Sequence, residues 1–358
     1  MLSYLHSFHA GNHADILKHI TLLYTLEYFN KKDKPYTVFD THSGRGLYDL
    51  HSEAALKTGE ASKGIGRLLE DFSKNAGETS VDSKNQQLPD KHVTPEYSES
   101  PAFCQNALAS YIDFVSSSLK NGFYPGSPAF ERAFLKEGST LFLTELHKTE
   151  YSALCENIKK LEDFELWSEN VPGSDEKSLA SREKYPASNH KFSRNCTVKI
   201  ENKDGFSLLK ASVPPVIKRG FVLCDPSYEE ASDYTNASEI LSLVHKKWSG
   251  ASLLLWYPLL SNRAEEIENM KQAILSTVKN RDSHTEVLDA MLLVDTPESH
   301  TETSLKEAIG SAKPRLYGSG MFVVNPCWGL DEHLSSVLTY LSKLLDRDGN
   351  GSFSVEMM

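Results

Sequence analysis

Four short apolar runs in this chain each meet an acidic residue at their last position or just past it. Tyr36-Thr-Val-Phe-Asp40, Leu141-Phe-Leu-Thr-Glu145 and Gly220-Phe-Val-Leu-Cys-Asp225 end in the acid itself, and Thr197-Val-Lys-Ile200 has Asp204-Gly205 a few residues beyond. Runs of this length and composition read as β-strands. Ser252–Pro258, Val287–Val294 and Gly320–Asn325 bring the count to seven. Apolar residues at helical spacing fill Ala14–Phe29, Ser152–Leu161, Ala237–Trp248 and Arg263–Val278, and Asn12 or Gly11 can cap the first. Seven strands alternating with helices predict an α/β fold with a doubly wound, mainly parallel sheet.

The patterned sequence between Tyr48 and Asn121 is helical. It predicts a small helical insertion over 48–121, with 1–47 and 122–358 forming the main α/β unit. Ser73–Ser100 and Val171–Asn195 hold too little apolar surface to offset their ordering, so they read as long mobile loops; Asn280–Thr285 reads as a shorter polar stretch.

In an open α/β sheet, ligands bind outside the carboxyl ends of the strands. The first strand runs into Asp40-Thr-His42-Ser-Gly44-Arg-Gly46, whose glycines let backbone approach a ligand closely. The turn lacks the third glycine of a dinucleotide fingerprint and serves equally as a plain tight turn. Glu145 stands where an acid accepts ribose hydroxyls, or is an exposed strand-end acid. Asp204-Gly205 is placed for an adenine amine.

The most specific signal is Asp225-Pro226-Ser227-Tyr228. An exocyclic amine on adenine is a poor nucleophile because its lone pair is delocalised into the ring. Two acceptors holding its hydrogens pull the nitrogen toward tetrahedral geometry. Asp225 supplies one acceptor and the Pro226 carbonyl the other, while Tyr228 offers a face for a base taken out of its stack. An Asp-Pro turn also occurs at the end of many strands with no such role.

The formal charge of −11 is not that of a chain built mainly to hold a phosphate backbone. It is uneven, though: Arg182–Arg219 carries nine Lys/Arg against three Asp/Glu. That stretch is a solvated face or a seat for a polyanion. No apolar run approaches the ~18 residues of a membrane span. Five cysteines with no CxxC spacing predict neither a disulfide framework nor structural zinc, and point to a reducing cytoplasm. Asp346-Arg-Asp348-Gly-Asn350-Gly351 imitates the start of a calcium loop, but Met357 stands where the bidentate acid belongs. His9 and His13 have no carboxylate or cysteine pattern to complete a metal site, so no metal is predicted.

Taken together, these residues resemble a known family. Met1-Leu-Ser-Tyr4-x-His6-Ser-Phe-His-Ala-Gly-Asn-His-Ala-Asp-Ile-Leu-Lys18-His19 is similar to the N-terminus of the bacterial RlmJ family, adenine-N6 methyltransferases of 23S ribosomal RNA. The likeness continues, in order, through Thr58-Gly-Glu, Tyr124-Pro-Gly-Ser127-Pro and Leu143-Thr-Glu145-Leu-His147, then Asp204-Gly205-Phe206, Asp225-Pro-Ser-Tyr228, Leu255-Trp-Tyr-Pro258 and Asn325-Pro-x-Trp328. It implies a Rossmann-type class I methyltransferase that uses S-adenosylmethionine on 23S ribosomal RNA; apart from that RNA the sequence points to no stable protein partner and no membrane, and it leaves the oligomeric state, a monomer among the options, open. It places His19, His42, Ser127, Glu145, Asp204, Gly205 and Asp225 around the donor, with Asp225 as proton acceptor or amine orienter. Tyr4, His6 and Lys18 fall on the substrate side, with Pro226 and Tyr228; Lys18 and the basic stretch would meet phosphates. Ser227 departs from the family's Asp-Pro-Pro-Tyr, and the region from Asn280 to Lys313 fits the family poorly. The rival expectations are adenine methylation of another nucleic acid such as DNA, and a donor-binding protein without turnover.

Overall fold

The computed structural model describes residues 5–78, 101–162, 195–296, 316–347 and 349–358. After a 3-10 turn at His6–Phe8 come α1 (His13–Asn30), β1 (Thr37–Asp40), β2 (Leu47–Tyr48), α2 (Glu53–Thr58), α3 (Glu60–Lys63), α4 (Ile65–Glu78) and α5 (Pro101–Lys120). They are followed by β3 (Tyr124–Pro125), α6 (Ser127–Ala133), β4 (Thr140–Thr144), α7 (Lys148–Glu162), β5 (Thr197–Glu201), α8 (Gly205–Ser212), β6 (Gly220–Cys224) and α9 (Ala231–Lys247). The chain finishes with β7 (Ser252–Leu260), α10 (Ala264–Arg281), β8 (Val287–Leu293), β9 (Leu316–Val324), α11 (Leu330–Leu344) and β10 (Ser352–Met357).

The main sheet runs β10-β8-β9-β7-β6-β1-β4-β5. The five strands from β7 to β5 are parallel; β9 is antiparallel to both β7 and β8, and β10 is antiparallel to β8. The short β1, fully buried, pairs with β6 on one side and β4 on the other. Alternation of its side chains splits two cores. Val38 joins Leu223 and Leu254 on the α1 face, and Phe39 joins Val222 and Leu255 on the α9 and α10 face.

The sheet has eight strands, one more than the seven the sequence predicts. The extra one is β10, whose Ser-Phe-Ser-Val-Glu-Met is half exposed and whose following Met358 exchanges backbone hydrogen bonds with Val287. Just before it, the Asp346 carboxylate accepts the backbone N–H groups of Gly349 and Asn350 at 2.9 and 3.0 Å. The chain then continues as a strand, where a calcium loop requires a helix. β9 also starts four residues earlier than expected, at Leu316 rather than Gly320. Glycine reads as a strand breaker, but here Gly320 makes room for the Tyr257 ring, which a Cβ would overlap.

Of the first polar stretch, Ser73–Glu78 continues α4 rather than forming a loop. Residues 79–100 and 163–194, which hold the rest of the two expected loops except Asn195, lie outside the described residues, as does 297–315. Asn280 and Arg281 end α10.

Asn12 fixes where α1 begins. Its side chain accepts the N–H groups of Ala14 and Asp15 at 2.9 and 3.0 Å, satisfying donors that a helix start leaves open. α1 packs against β9 on one side and α5, α6 and α11 on others, and most of its residues are buried. Its N-terminal half reaches the carboxyl ends of the parallel strands. The two-stranded ribbon β2–β3 closes the base of the helical segment between them.

Candidate active site

One cleft opens at the carboxyl ends of β1, β4, β5 and β6. Its walls include His6, Lys18, His19, His42, Gly44, Tyr48, Ser127, Glu145, Asp204, Gly205, Phe206, Asp225, Pro226 and Ser227. The turn after β1 is built from its own polar atoms. Asp40, buried at the strand end, accepts the His42 N–H at 3.1 Å and the Ser127 hydroxyl at 2.7 Å. Glu145 reaches across from β4 and accepts the N–H of Gly44 at 2.9 Å and that of His147 at 2.7 Å. Burial still raises the Glu145 pKa, and its two oxygens retain lone pairs for a ligand. Asp204 caps α8 by accepting the Ser207 N–H at 2.8 Å. Gly205 touches the β1 turn, where any Cβ would overlap the Thr41 carbonyl.

Two imidazoles line the cleft in neutral form. Burial lowers His42 to about 4 and His19 to about 3. His19 Nδ1 lies 3.1 Å from the Tyr124 hydroxyl. Its Nε2 is buried without a hydrogen-bond partner among the described residues.

On the other wall, the side chain of Lys18 lies between two carboxylates. Its Nζ donates to Asp225 Oδ2 at 2.6 Å and sits 3.0 Å from Asp15 Oδ1. Burial works to lower the lysine pKa, but the two carboxylates overcome it and hold the ammonium charged. Asp15 in turn accepts the Gly11 N–H at 2.8 Å and pairs with His6 at 2.9 Å. Burial pushes the Asp15 carboxyl upward, but His6 and Lys18 hold it well below the usual range. Asp225 Oδ1 makes no hydrogen bond among the described residues, so one of its oxygens is fixed and the other is open to a ligand.

The structure gathers most of the residues singled out by sequence: His6, Lys18, His19, His42, Ser127, Glu145, Asp204, Gly205, Asp225 and Pro226 all line this cleft. Tyr4 lies outside the described residues. Two expectations are corrected. Lys18, 5% exposed, is held by carboxylates and is not on a phosphate-facing surface. Tyr228 is not among the lining residues and is only 4% exposed. A φ of 52° turns the chain there, and its ring packs on Tyr234 while its hydroxyl donates to the Trp256 carbonyl at 2.8 Å. It braces the Asp225 turn from behind; the rings at the cleft include Tyr48, Phe206, His6, His19, His42 and His147.

The basic stretch is also partly spoken for. Arg219 donates to the carbonyls of Lys34 and Phe29, Lys199 lies over the Phe142 ring, and Lys203 pairs with Glu201 at 2.7 Å. Residues 182–194 of the stretch lie outside the described residues. Sequence reasoning missed Asp15, whose signal was present as Asp15, Lys18 and His19 at helical spacing. It also missed Arg45 and Glu150, a two-bond ion pair beside the glycine turn.

A family model described as ribosomal RNA large subunit methyltransferase D, RlmJ, matches residues 33–106 and 178–358. The chain is 30% identical to ribosomal RNA large subunit methyltransferase J of Escherichia coli, over 99% of this chain and 98% of that one. It is 31% identical to the Haemophilus influenzae protein of the same name, with the same coverage. A solved structure from Legionella pneumophila superposes with a TM-score of 0.64 at 25% identity, covering 97% of this chain and 98% of the other. The fold matches what a class I methyltransferase requires, and the chain belongs to the RlmJ family of large-subunit ribosomal RNA methyltransferases.

Proposed function

We propose that this protein transfers a methyl group from S-adenosylmethionine to N6 of an adenine in 23S ribosomal RNA. What carries the reading is the open oxygen of Asp225, next to Pro226, in the same cleft as Glu145, Asp204 and the orphaned His19 Nε2. A buried ring nitrogen with no partner calls for a polar ligand, and the neighbouring set of carboxylates and backbone suits a nucleoside. Glu145 would hold ribose hydroxyls, Asp204 the donor's adenine amine, and His19, His42, Ser127 and Gly205 the remaining donor contacts. Bound there, the donor supplies an electrophilic methyl on a sulfonium.

The protein's own part is mostly positioning, which is where two bound reactants gain most. Lys18 pins one oxygen of Asp225. The other oxygen and the Pro226 carbonyl take the two amine hydrogens of the target adenine, and Asp225 receives the proton released on transfer. His6, Tyr48 and Phe206 offer ring faces beside it. In this reading 1–47 and 122–358 form the methyltransferase unit, and 48–121 is an insertion that shares its core. No helix among the described residues is long and apolar enough to cross a membrane, and an RNA substrate of this kind puts the protein in the cytoplasm.

The test compares methyl transfer from labelled donor to naked 23S RNA, assembled ribosomes and duplex DNA, with the RNA taken from cells lacking the enzyme. Label at a single adenine of the RNA, and none in DNA, is the expected result; faster transfer to DNA overturns the RNA assignment. A second expectation concerns the close approach at Gly205. Gly205→Ala has to move α8 away from the Thr41 carbonyl, at a cost of about 1–3 kcal/mol. Donor affinity by calorimetry is expected to fall at least about tenfold, and unchanged affinity would remove α8 from the donor site.

A further inference from the structure

The cleft turn rests on a buried pair of acids that the mechanism above does not use. Glu131, on α6, is 0% exposed, and neither of its carboxylate oxygens has a hydrogen-bond donor among the described residues. Its side chain meets that of Asp40 at hydrogen-bonding distance. Two ionised carboxylates in that arrangement repel, and neither offers a hydrogen to the other. One acid and one carboxylate make a strong hydrogen bond instead, because one proton serves both. Asp40 already accepts from the Ser127 hydroxyl and the His42 N–H; with those bonds in place it is the natural acceptor, and Glu131 the natural donor.

We infer that Glu131 is a positioning residue: its carboxyl shares a single proton with Asp40 and so holds the carboxylate that fixes Ser127 and the His42 turn at the donor site. The inference rests on the donor reading for its consequence, though not for the pair itself. Burial and Asp40 push Glu131 well above the ordinary carboxylate range, and burial raises Asp40 to about 6. The pair titrates as a unit, so its last proton belongs to both. Other titratable groups facing it are Tyr36, just before β1, and Cys224 at the end of β6, whose phenol and thiol burial holds protonated, and Asp225 and Lys18 beyond Asp40, whose opposite charges bear on the Asp40 carboxyl.

When the pair loses its proton, the like charges separate and the turn shifts. Donor affinity in the wild type is therefore expected to fall, as pH rises above neutrality, about tenfold further than in a variant whose residue 131 cannot ionise. Glu131→Gln keeps a hydrogen donor toward Asp40 but cannot ionise, so it is expected to match the wild type at neutral pH and to lack that extra fall as pH rises. Calorimetry with S-adenosylmethionine reads both. Infrared spectroscopy of the free protein reads the pair without any donor. A protonated-carboxyl band at neutral pH that is missing in Glu131→Gln is expected. Absence of that band in the wild type, or a pH slope shared by both proteins, overturns the inference. If the wild type binds no donor at any pH while the band is present, the donor reading fails and the pair stands.

Discussion

Replacing Asp225 by asparagine is expected to slow methyl transfer to ribosomal RNA by about a thousandfold or more. The substitution keeps the size of the side chain but turns one carboxylate oxygen into an amide nitrogen. Lys18 demands an acceptor at 2.6 Å, so the amide is expected to turn its oxygen to Lys18 and its NH2 toward the open side of the cleft. The target amine then meets a donor where it needs an acceptor, and no base receives the proton. The donor's other contacts are untouched, so calorimetry should find S-adenosylmethionine bound within about threefold of the wild type. Single-turnover transfer of a labelled methyl group checks the rate, and undiminished labelling would sink the role given to Asp225.

The largest expected loss of stability is at Lys18. Lys18→Met removes the ammonium between Asp15 and Asp225 and leaves Asp15, 1% exposed, with His6 as its remaining ion-pair partner. Breaking such a buried arrangement costs about 3–5 kcal/mol. The sign of the pH dependence follows from Asp15. Its folded-state pKa is depressed in the wild type, so its contribution is present above the ordinary aspartate value and is lost as pH falls through the folded one. In Lys18→Met that pKa rises, and protonating Asp15 relieves the buried charge. The gap between the two proteins is therefore expected to be widest near neutrality and to narrow on acidification. Urea unfolding at a series of pH values measures it; a gap that widens in acid would contradict the assignment of Asp15 as the carboxylate that loses its lysine.

The parallel sheet and the cleft at its strand ends were legible because both depend on local pattern. An apolar run with an acid at its end is visible in sequence, and the sheet brings such ends together whatever the loops do. What was not legible depended on partners distant in the chain. Lys18 reads as a phosphate contact when seen alone; nothing near it announces a carboxylate 207 residues away. Tyr228 reads as a stacking platform until its positive φ sends the ring inward. Glu131 looks like an ordinary charge on a short helix, since burial of every residue of α6 shows only in three dimensions. β10 was hidden because its side chains are half exposed and a loop-like run of acids and glycines precedes it.

The helix from His13 to Asn30 has one more implication. Its first turns furnish Asp15, Lys18 and His19, and its remaining length fills the interior between β9 and three neighbouring helices. Chemistry and scaffold thus share a single rod, which cannot swing out to admit a bulky polynucleotide without dismantling the molecule. Reshaping of the RNA itself is the route left for bringing a nucleotide in, and a partly denatured population that still turns over has no place in this architecture.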